Sequence, residues 1–198
     1  MPSVILLFAK APVPGGVKTR LCPPLTPRQA SDLHRQFVAD TLRQTSALGP
    51  VELHTDIPTD AWAEFEVTSK LQCGLSLGER MFAAFATSRL PAMILGSDAP
   101  HLPAAHIETL MRSKADMALG PAEDGGYWGI HCRRIHPAMF DGVEWSSSRA
   151  CEQTIRAALA CELTVELGQQ WWDVDTPRDL TRLISMDAKW LRWVSPDR

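Results

Sequence analysis

Four segments of the sequence combine charged residues with glycine or proline, and the first follows an apolar run at the N-terminus. This segment, Lys10–Arg20, contains two adjacent glycines and three cations. Glycines let the backbone approach a ligand closely, and the cations would attract phosphate oxygens. Lys18 and Arg20 are therefore candidate phosphate ligands, although solvated side chains on a surface turn fit the same pattern. The spacing matches neither a Walker A loop nor Gly-x-Gly-x-x-Gly.

Two further segments place carboxylates where a strand is predicted to end. Asp98 follows the apolar run 92–96, and Asp175 follows the run 171–174. Because Mg²⁺ is held by one or two carboxylates together with phosphate oxygens and water, the two side chains could share a divalent ion opposite the basic loop. Each also has a structural interpretation, since Asp is favoured as a helix cap and near the positive end of the helix dipole.

The fourth segment, Glu123–Tyr127, combines two carboxylates, a Gly-Gly pair and an aromatic residue. This composition suits a pocket that closes on a small polar substrate. Glu123 or Asp124 could bind a hydroxylated substrate or act as a base. A tight hairpin turn would use Gly125 and Gly126 in the same way.

Alternating apolar elements surround these segments. The patterns predict strands at residues 3–9, 51–55, 92–96, 117–120, 127–131, 163–167 and 171–174. They predict helices at residues 27–48, 76–90, 103–113 and 149–160, and from residue 177 onward. Strands interleaved with helices of this length predict an α/β domain with a mostly parallel sheet. Ligands of such sheets bind beyond the carboxyl ends of the strands, where the charged segments fall.

Composition restricts the class of protein further. A chain of 198 residues, 45% hydrophobic and 22% charged, is expected to form one globular domain over residues 1–198. The net charge of -3 argues against nucleic acid or an anionic membrane as partner. The apolar N-terminal run is short and has no preceding basic residue, unlike a signal peptide, and no run reaches the roughly 20 residues of a membrane span. Five singly spaced cysteines predict no zinc site or disulfide framework, as in a cytoplasmic protein.

Together the motifs resemble a family of small bacterial proteins described as glycosyltransferase-A-type transferases, a branch of the nucleotide-diphospho-sugar transferase superfamily. The resemblance covers nearly the whole chain, and it is carried in order by FAKAPVPGGVKTRL, LGERM, GSDAPHLP, LGPAEDGGYWGI and DVDTPRDL. It implies a three-layer αβα sandwich with a Rossmann-like, mostly parallel mixed sheet that includes an antiparallel strand. The superfamily also includes the nucleotidyltransferases of molybdopterin and phospholactate cofactor assembly.

The resemblance also implies site residues. The nucleotide would contact the loop after the first strand, through Ala9, Lys10, Pro14, Gly15, Gly16, Lys18 and Arg20. The acceptor would contact Glu123, Asp124, Gly125, Gly126 and Tyr127. The metal, Mg²⁺ or Mn²⁺, would be held by Asp98 and Asp175, with Asp173 as the alternative second ligand. The catalytic residues would be Asp98, Lys18 and Asp124. Glycosyltransferases of this fold usually carry Asp-x-Asp at the central strand end, where this sequence has Ser97–Pro100.

The expected function is transfer from a nucleotide donor to a small polar or phosphorylated acceptor. With a nucleoside triphosphate, a phosphorylated acceptor would attack the α-phosphorus and pyrophosphate would leave. With a nucleotide sugar, the bond at the anomeric carbon would break and a nucleoside diphosphate would leave. One electrostatic site would serve both reactions, so both stay open. The alternative is a nucleotide- or sugar-binding module without turnover, since binding would use the same residues.

Two further expectations concern the loop cations and the assembly. Exposed charges contribute little to folding, so Lys18→Ala and Arg20→Ala are predicted to weaken nucleotide binding with little loss of stability. The sequence leaves the oligomeric state open, a homodimer included.

Overall fold

The computed structural model describes residues 3–193 of the chain. Its strands are β1 (Val4–Ala9), β2 (Val51–Thr55), β3 (Thr68–Leu71), β4 (Ala92–Gly96), β5 (Met117–Pro121), β6 (Tyr127–Cys132) and β7 (Val165–Leu167). Its α-helices are α1 (Pro27–Ser46), α2 (Leu77–Ala86), α3 (Ala104–Met111), α4 (Ala150–Ala160) and α5 (Pro177–Met186). Short 3-10 helices occupy Thr19–Leu21, Ala63–Phe65 and Ala188–Trp193. Among these described residues, none of the helices combines the length and apolar character that crossing a bilayer requires.

The strands form one mixed sheet in the spatial order β3-β2-β1-β4-β6-β5-β7. β6 runs antiparallel to β4 and β5, whereas the other neighbouring strands pair in parallel. From β1 the chain continues through α1 to β2 on one side, and from β4 it continues through α3 to the strands on the other side. A crevice therefore forms beyond the carboxyl ends of β1 and β4, where ligands of open α/β sheets bind.

Apolar residues on both faces of the sheet account for its three layers. In β1, Leu7 packs into the hydrophobic cluster that includes Val38 of α1, and Leu6 packs into the cluster that includes Phe85 of α2. Both leucines are fully buried. A strand that is covered on both faces needs a continuous apolar run rather than an alternating one. The αβα sandwich with a mostly parallel mixed sheet, predicted from the sequence, is confirmed.

Two strand predictions differ from the structure. β3 was not predicted, because this edge strand is polar and largely exposed and has no apolar period. The run 171–174, predicted as a strand, makes only an isolated bridge between Trp171 and Ala122. Its apolar side chains instead join a third hydrophobic cluster, in which Trp172 and Val174 pack with Phe37 of α1.

Candidate functional site

Lys18 lies at the centre of the candidate site, in the loop after β1. The neighbouring Val17 and Leu21 are buried and hold this loop against the protein, and Lys18 itself adopts a left-handed backbone conformation, with φ of 47°. Its side chain is only 4% exposed. The expectation that Lys18 is an exposed loop cation is therefore wrong, because the fold turns this side chain inward.

The Lys18 ammonium contacts two carboxylates and a carbonyl. Its Nζ lies 2.6 Å from Asp98 Oδ1. It also donates hydrogen bonds to Asp175 Oδ1 and to the carbonyl oxygen of Val174, both at 2.8 Å. We call Lys18, Asp98 and Asp175 the ion triad. It joins three segments that are far apart in sequence.

The opposite charges of Lys18 and Asp98 each stabilise the charged form of the other group. Burial lowers the pKa of Lys18, but the charges of Asp98 and Asp175 outweigh this effect and hold it above its ordinary value. Burial raises the pKa of Asp98, but the Lys18 ammonium outweighs this effect and holds it below its ordinary value. The triad thus keeps one cation and at least one charged carboxylate at neutral pH.

The structure also tests the capping interpretations of the two carboxylates. The N-cap residue of α3 is Pro103, so Asp98 does not cap that helix. The N-cap of α5 is Thr176, which forms a capping box with Asp179. Asp175 precedes that cap and points to Lys18 instead. Neither carboxylate is needed as a cap, and both are directed into the crevice.

Asp173 lies close to the triad, and its pKa is raised to about 7. Burial is the main cause, and the nearby charge of Asp98 adds to it, while the Lys18 charge partly offsets both. The Asp173 side chain makes no hydrogen bond with any residue in the described part of the chain. Burial and the neighbouring carboxylates therefore disfavour the charged form of Asp173.

Two adjoining cavities open at the ion triad. The first cavity, of about 440 Å³, is lined by residues that include Ala9, Lys10, Gly16, Lys18, Arg20, His34, Gln72 and Arg80. Its four cations make it suitable for a chain of phosphates. His34 donates from Nε2 to the Lys10 carbonyl oxygen at 2.9 Å, and burial holds its pKa below the ordinary value. A neutral His34 thus fixes the start of the loop.

The second cavity, of about 520 Å³, lies on the other side of the triad. Its own lining residues include Asp124, Gly126, Tyr127, Trp145, Ser147, Ser148 and Asp173. The residues common to both cavities are Arg20, Leu77, Asp98, Ser146 and Asp175. A molecule in one cavity would therefore be next to a molecule in the other.

The structure does not place every predicted residue in these cavities. Glu123 lies in a separate surface hollow, where it accepts hydrogen bonds from Arg182 at 2.8 and 3.2 Å. Pro14 and Gly15 belong to the turn beside the first cavity, but they are not among the residues that line it in the described part of the chain. Gly125 supports the second cavity from outside: with φ of 89° it packs so closely on Ser148 that an added Cβ would overlap the Ser148 carbonyl.

Sequence reasoning did not identify several cavity residues. Arg80 belongs to the motif LGERM, which carries part of the family resemblance but predicts no role for the arginine. The segment Trp145–Ser148 has no catalytic motif, and only its position before a helix could have drawn attention to it. His34 and Gln72 lie within or after regular elements and carry no sequence signal.

The two carboxylates of the ion triad could hold a hard divalent cation only if a bound ligand and water supplied further oxygen atoms. Asp98 and Asp175 both contact the Lys18 ammonium, so the two carboxylates lie close together. Within residues 3–193, no group of three or more His, Cys, Asp or Glu side chains is arranged to hold a metal. Phosphate oxygens and water would have to complete the coordination, which is the pattern that Mg²⁺ shows in phosphate-binding sites.

The mixed sheet and its crevice define a nucleotide-diphospho-sugar transferase fold. A candidate nucleotide-diphospho-sugar transferase from Desulfovibrio desulfuricans G20 is 33% identical, with a TM-score of 0.83, over 94% of this chain and 88% of that chain. The chain belongs to the bacterial family described as "uncharacterized protein conserved in bacteria (DUF2064)", whose model matches residues 33–147. The predicted resemblance is confirmed. No curated protein sequence matches the chain.

More distant structures share the fold alone. One is CMP:2-keto-3-deoxy-manno-octonic acid synthetase in complex with CTP, at 13% identity and a TM-score of 0.62, over 96% of this chain and 99% of that chain. Another is the inositol-1-phosphate CTP transferase from T. maritima, at 10% identity and a TM-score of 0.63, over 99% of this chain and 97% of that chain. The chain is thus similar in fold to transferases that use nucleotides.

Proposed function

We propose that the chain is a metal-dependent transferase that binds a nucleotide donor in the first cavity and an acceptor in the second. The observation that carries this proposal is the ion triad, which places a cation and two carboxylates where the two cavities meet. The likeness to nucleotide-using transferases supports the same assignment.

The first cavity supplies the positive charge that a nucleotide needs. The charge of Lys18 is offset by its two carboxylate partners, so Lys10, Arg20 and Arg80 provide the excess positive charge. Arg20 is 72% exposed and lies 4.0 Å from Asp175, a distance at which it can turn toward a phosphate. Lys18 would orient the phosphates at the boundary between the cavities.

Asp98 and Asp175 would hold Mg²⁺ or Mn²⁺. When bound, the ion would neutralise negative charge on the leaving phosphates. The protein's contribution is to keep the two carboxylates together, which the Lys18 ammonium does by contacting both. The fold positions these groups before a ligand arrives, so little rearrangement is needed at the moment of transfer.

In either of the two possible reactions, the leaving group is a negatively charged phosphate compound. Pyrophosphate leaves if the donor is a nucleoside triphosphate, and a nucleoside diphosphate leaves if it is a nucleotide sugar. Asp124 lies in the second cavity, where it could accept a proton from the acceptor. The triad would stabilise either leaving group, so the proposal covers both.

The test is a thermal-shift panel of nucleoside triphosphates and nucleotide sugars with and without Mg²⁺. A ligand at about 100 times its dissociation constant stabilises a protein by roughly 2.7 kcal/mol. For a chain of this size, that corresponds to an increase in Tm of about 5–10 °C. Stabilisation by triphosphates alone would assign nucleotidyl transfer, and stabilisation by nucleotide sugars alone would assign glycosyl transfer.

Asp98→Asn should abolish the Mg²⁺-dependent part of this shift. The matched control is Asp32→Asn, an exposed carboxylate on α1, which should leave the shift unchanged. If no nucleotide raises the Tm of the wild-type protein, the proposal is wrong. Binding without release of pyrophosphate or nucleoside diphosphate, whatever acceptor is supplied, would point to the module without turnover.

A further inference from the structure

The lining of the second cavity differs sharply in charge from that of the first. Asp98 and Asp175 border both cavities, and the second cavity adds the carboxyl groups of Asp124 and Asp173. Arg20, at the boundary with the first cavity, is the one cation among its described lining residues. A phosphate group placed here would meet the Asp124 carboxylate without the Lys10, Lys18 and Arg80 side chains that line the first cavity, so its binding would be disfavoured. A hydroxyl group would instead donate hydrogen bonds to the same oxygens.

The segment Trp145–Ser148 forms one wall of the cavity and is held in place by two glycines. At Gly78 of α2, an added Cβ would come within 2.9 Å of the Trp145 ring. At Gly125, an added Cβ would overlap the Ser148 carbonyl. Trp145 also packs edge-on against Phe140, with ring centroids 5.9 Å apart. This wall is therefore a packed part of the structure with a defined position.

Hydroxyl groups of this wall are available to a ligand. Ser147 Oγ donates to the Glu144 carbonyl at 2.7 Å and accepts from the Arg149 backbone at 3.2 Å, so it stabilises the segment itself. The hydroxyls of Ser146 and Ser148 make no hydrogen bond with the part of the chain that the structure describes. Ser146 borders both cavities, where an acceptor would meet the donor.

From these observations we infer that the acceptor is an uncharged polyhydroxylated molecule, such as a sugar or polyol, bound between the Trp145–Ser148 wall and the carboxylates. This inference rests on the proposed transferase function and narrows its acceptor from polar or phosphorylated compounds to unphosphorylated ones. The aromatic ring of Trp145 would contact the apolar face of the acceptor, while serines and carboxylates bind its hydroxyls. In the transfer, an acceptor oxygen forms the new bond, its proton passes to a cavity carboxylate, and the leaving group departs with the electrons of the broken bond.

The test uses saturation-transfer NMR, which detects weak binding, with glucose and glycerol as probes beside glucose 6-phosphate and glycerol 3-phosphate. The unphosphorylated compounds should bind the wild-type protein, and each phosphorylated compound should bind at least tenfold more weakly. Ser148→Ala and Asp124→Asn should each weaken sugar binding about fivefold. Asp124→Asn is expected to fold, because its side-chain oxygen can still accept the 2.9 Å hydrogen bond from the Gly126 backbone.

Reversing the charge at Asp124 should reverse the preference for unphosphorylated over phosphorylated sugars. Asp124→Lys should bind glucose 6-phosphate more tightly than glucose, because it adds a cation to the acidic wall. Ser185→Ala, in an exposed position on α5, is the control and should leave sugar binding unchanged. Tighter binding of the phosphorylated compounds to the wild-type protein, or no binding of any probe, would overturn the inference.

The nucleotide measurements keep this inference separate from the proposed function. If nucleotides raise the Tm but glucose and glycerol do not bind, the acceptor inference fails and the proposed function stands. If glucose binds but no nucleotide raises the Tm, the proposed function fails while the second cavity is still a sugar site.

Discussion

Replacing Lys18 by methionine would remove the ammonium at the centre of the ion triad while keeping an unbranched side chain of similar length. The variant loses the contacts of Nζ with Asp98, Asp175 and the Val174 carbonyl. Removing one partner of a fully buried ion pair costs about 3–5 kcal/mol, because a charge is left uncompensated. The carboxylates here are 46% and 38% exposed, so water compensates in part, and we expect a loss of about 2–3 kcal/mol.

The assay is urea unfolding at pH 7.5 in the presence of EDTA, with Lys10→Met as the control. Lys10 is exposed in the same loop, so its replacement should change the free energy of unfolding by less than about 0.5 kcal/mol. A loss for Lys18→Met as small as that of the control would refute the reasoning. It would instead support the original expectation that Lys18→Ala leaves stability almost unchanged.

The difference between the wild-type protein and Lys18→Met should depend on pH. The lowered pKa of Asp98 contributes stability above the ordinary value of 3.8, and this contribution is lost as the pH falls through the lowered pKa. The raised pKa of Lys18 contributes stability below 10.5, and this is lost as the pH rises through the raised pKa. Without Lys18, burial would raise the Asp98 pKa in the variant, so the difference should increase as the pH rises from the lowered Asp98 pKa towards neutral pH. It should decrease above 10.5, where Lys18 of the wild type loses its charge. Mg²⁺ should restore stability to the variant more than to the wild type if the carboxylates bind it.

Three other variants test the charge of Asp173 and the packing of two glycines near the candidate site. The Asp173 pKa of about 7 lies above the ordinary 3.8, so Asp173 lowers the stability of the folded protein as the pH rises between these values. Asp173→Asn should therefore raise the free energy of unfolding by up to about 4 kcal/mol at pH 8 and leave it unchanged at pH 4. Urea titration in EDTA measures both values. Gly125→Ala should cost more than about 2 kcal/mol, because its Cβ would overlap a backbone carbonyl. Gly15→Ala, with φ of 79° and open space, should cost only about 1–2 kcal/mol; equal losses would contradict the packing argument.

The parts of the fold that were predictable from sequence are those set by local patterns. β2 and β4 were predicted with the bounds that the structure has, because β2 alternates apolar and polar residues and β4 is a short continuous apolar run. β3 was missed because its pairing depends on a neighbour rather than on its own composition. The run 171–174 was misassigned because its apolar side chains pack against α1 while its backbone bonds to a loop: the Val174 amide donates to the Asp98 carbonyl at 2.9 Å.

The candidate site was predictable as a set of strand ends, but its internal contacts were not. The burial of Lys18 depends on Asp98 and Asp175, which are distant in sequence, and no local pattern reports such a contact. The choice between Glu123 and Asp124 depends on the turn before β6, where adjacent side chains point to different cavities or hollows. Single-domain organisation, cytoplasmic location, oligomeric state and the bound metal stay predictions.

The hydrogen bond from the Val174 amide to the Asp98 carbonyl attaches the segment after the last strand to the loop that follows β4. Among residues 3–193, the last strand of the sheet ends at Leu167, before Asp173 and Asp175. Lys18 and Asp98 precede Leu167, whereas Asp175, the second carboxylate of the ion triad, follows it. The segment after Leu167 therefore completes the ion triad without adding a described strand to the sheet.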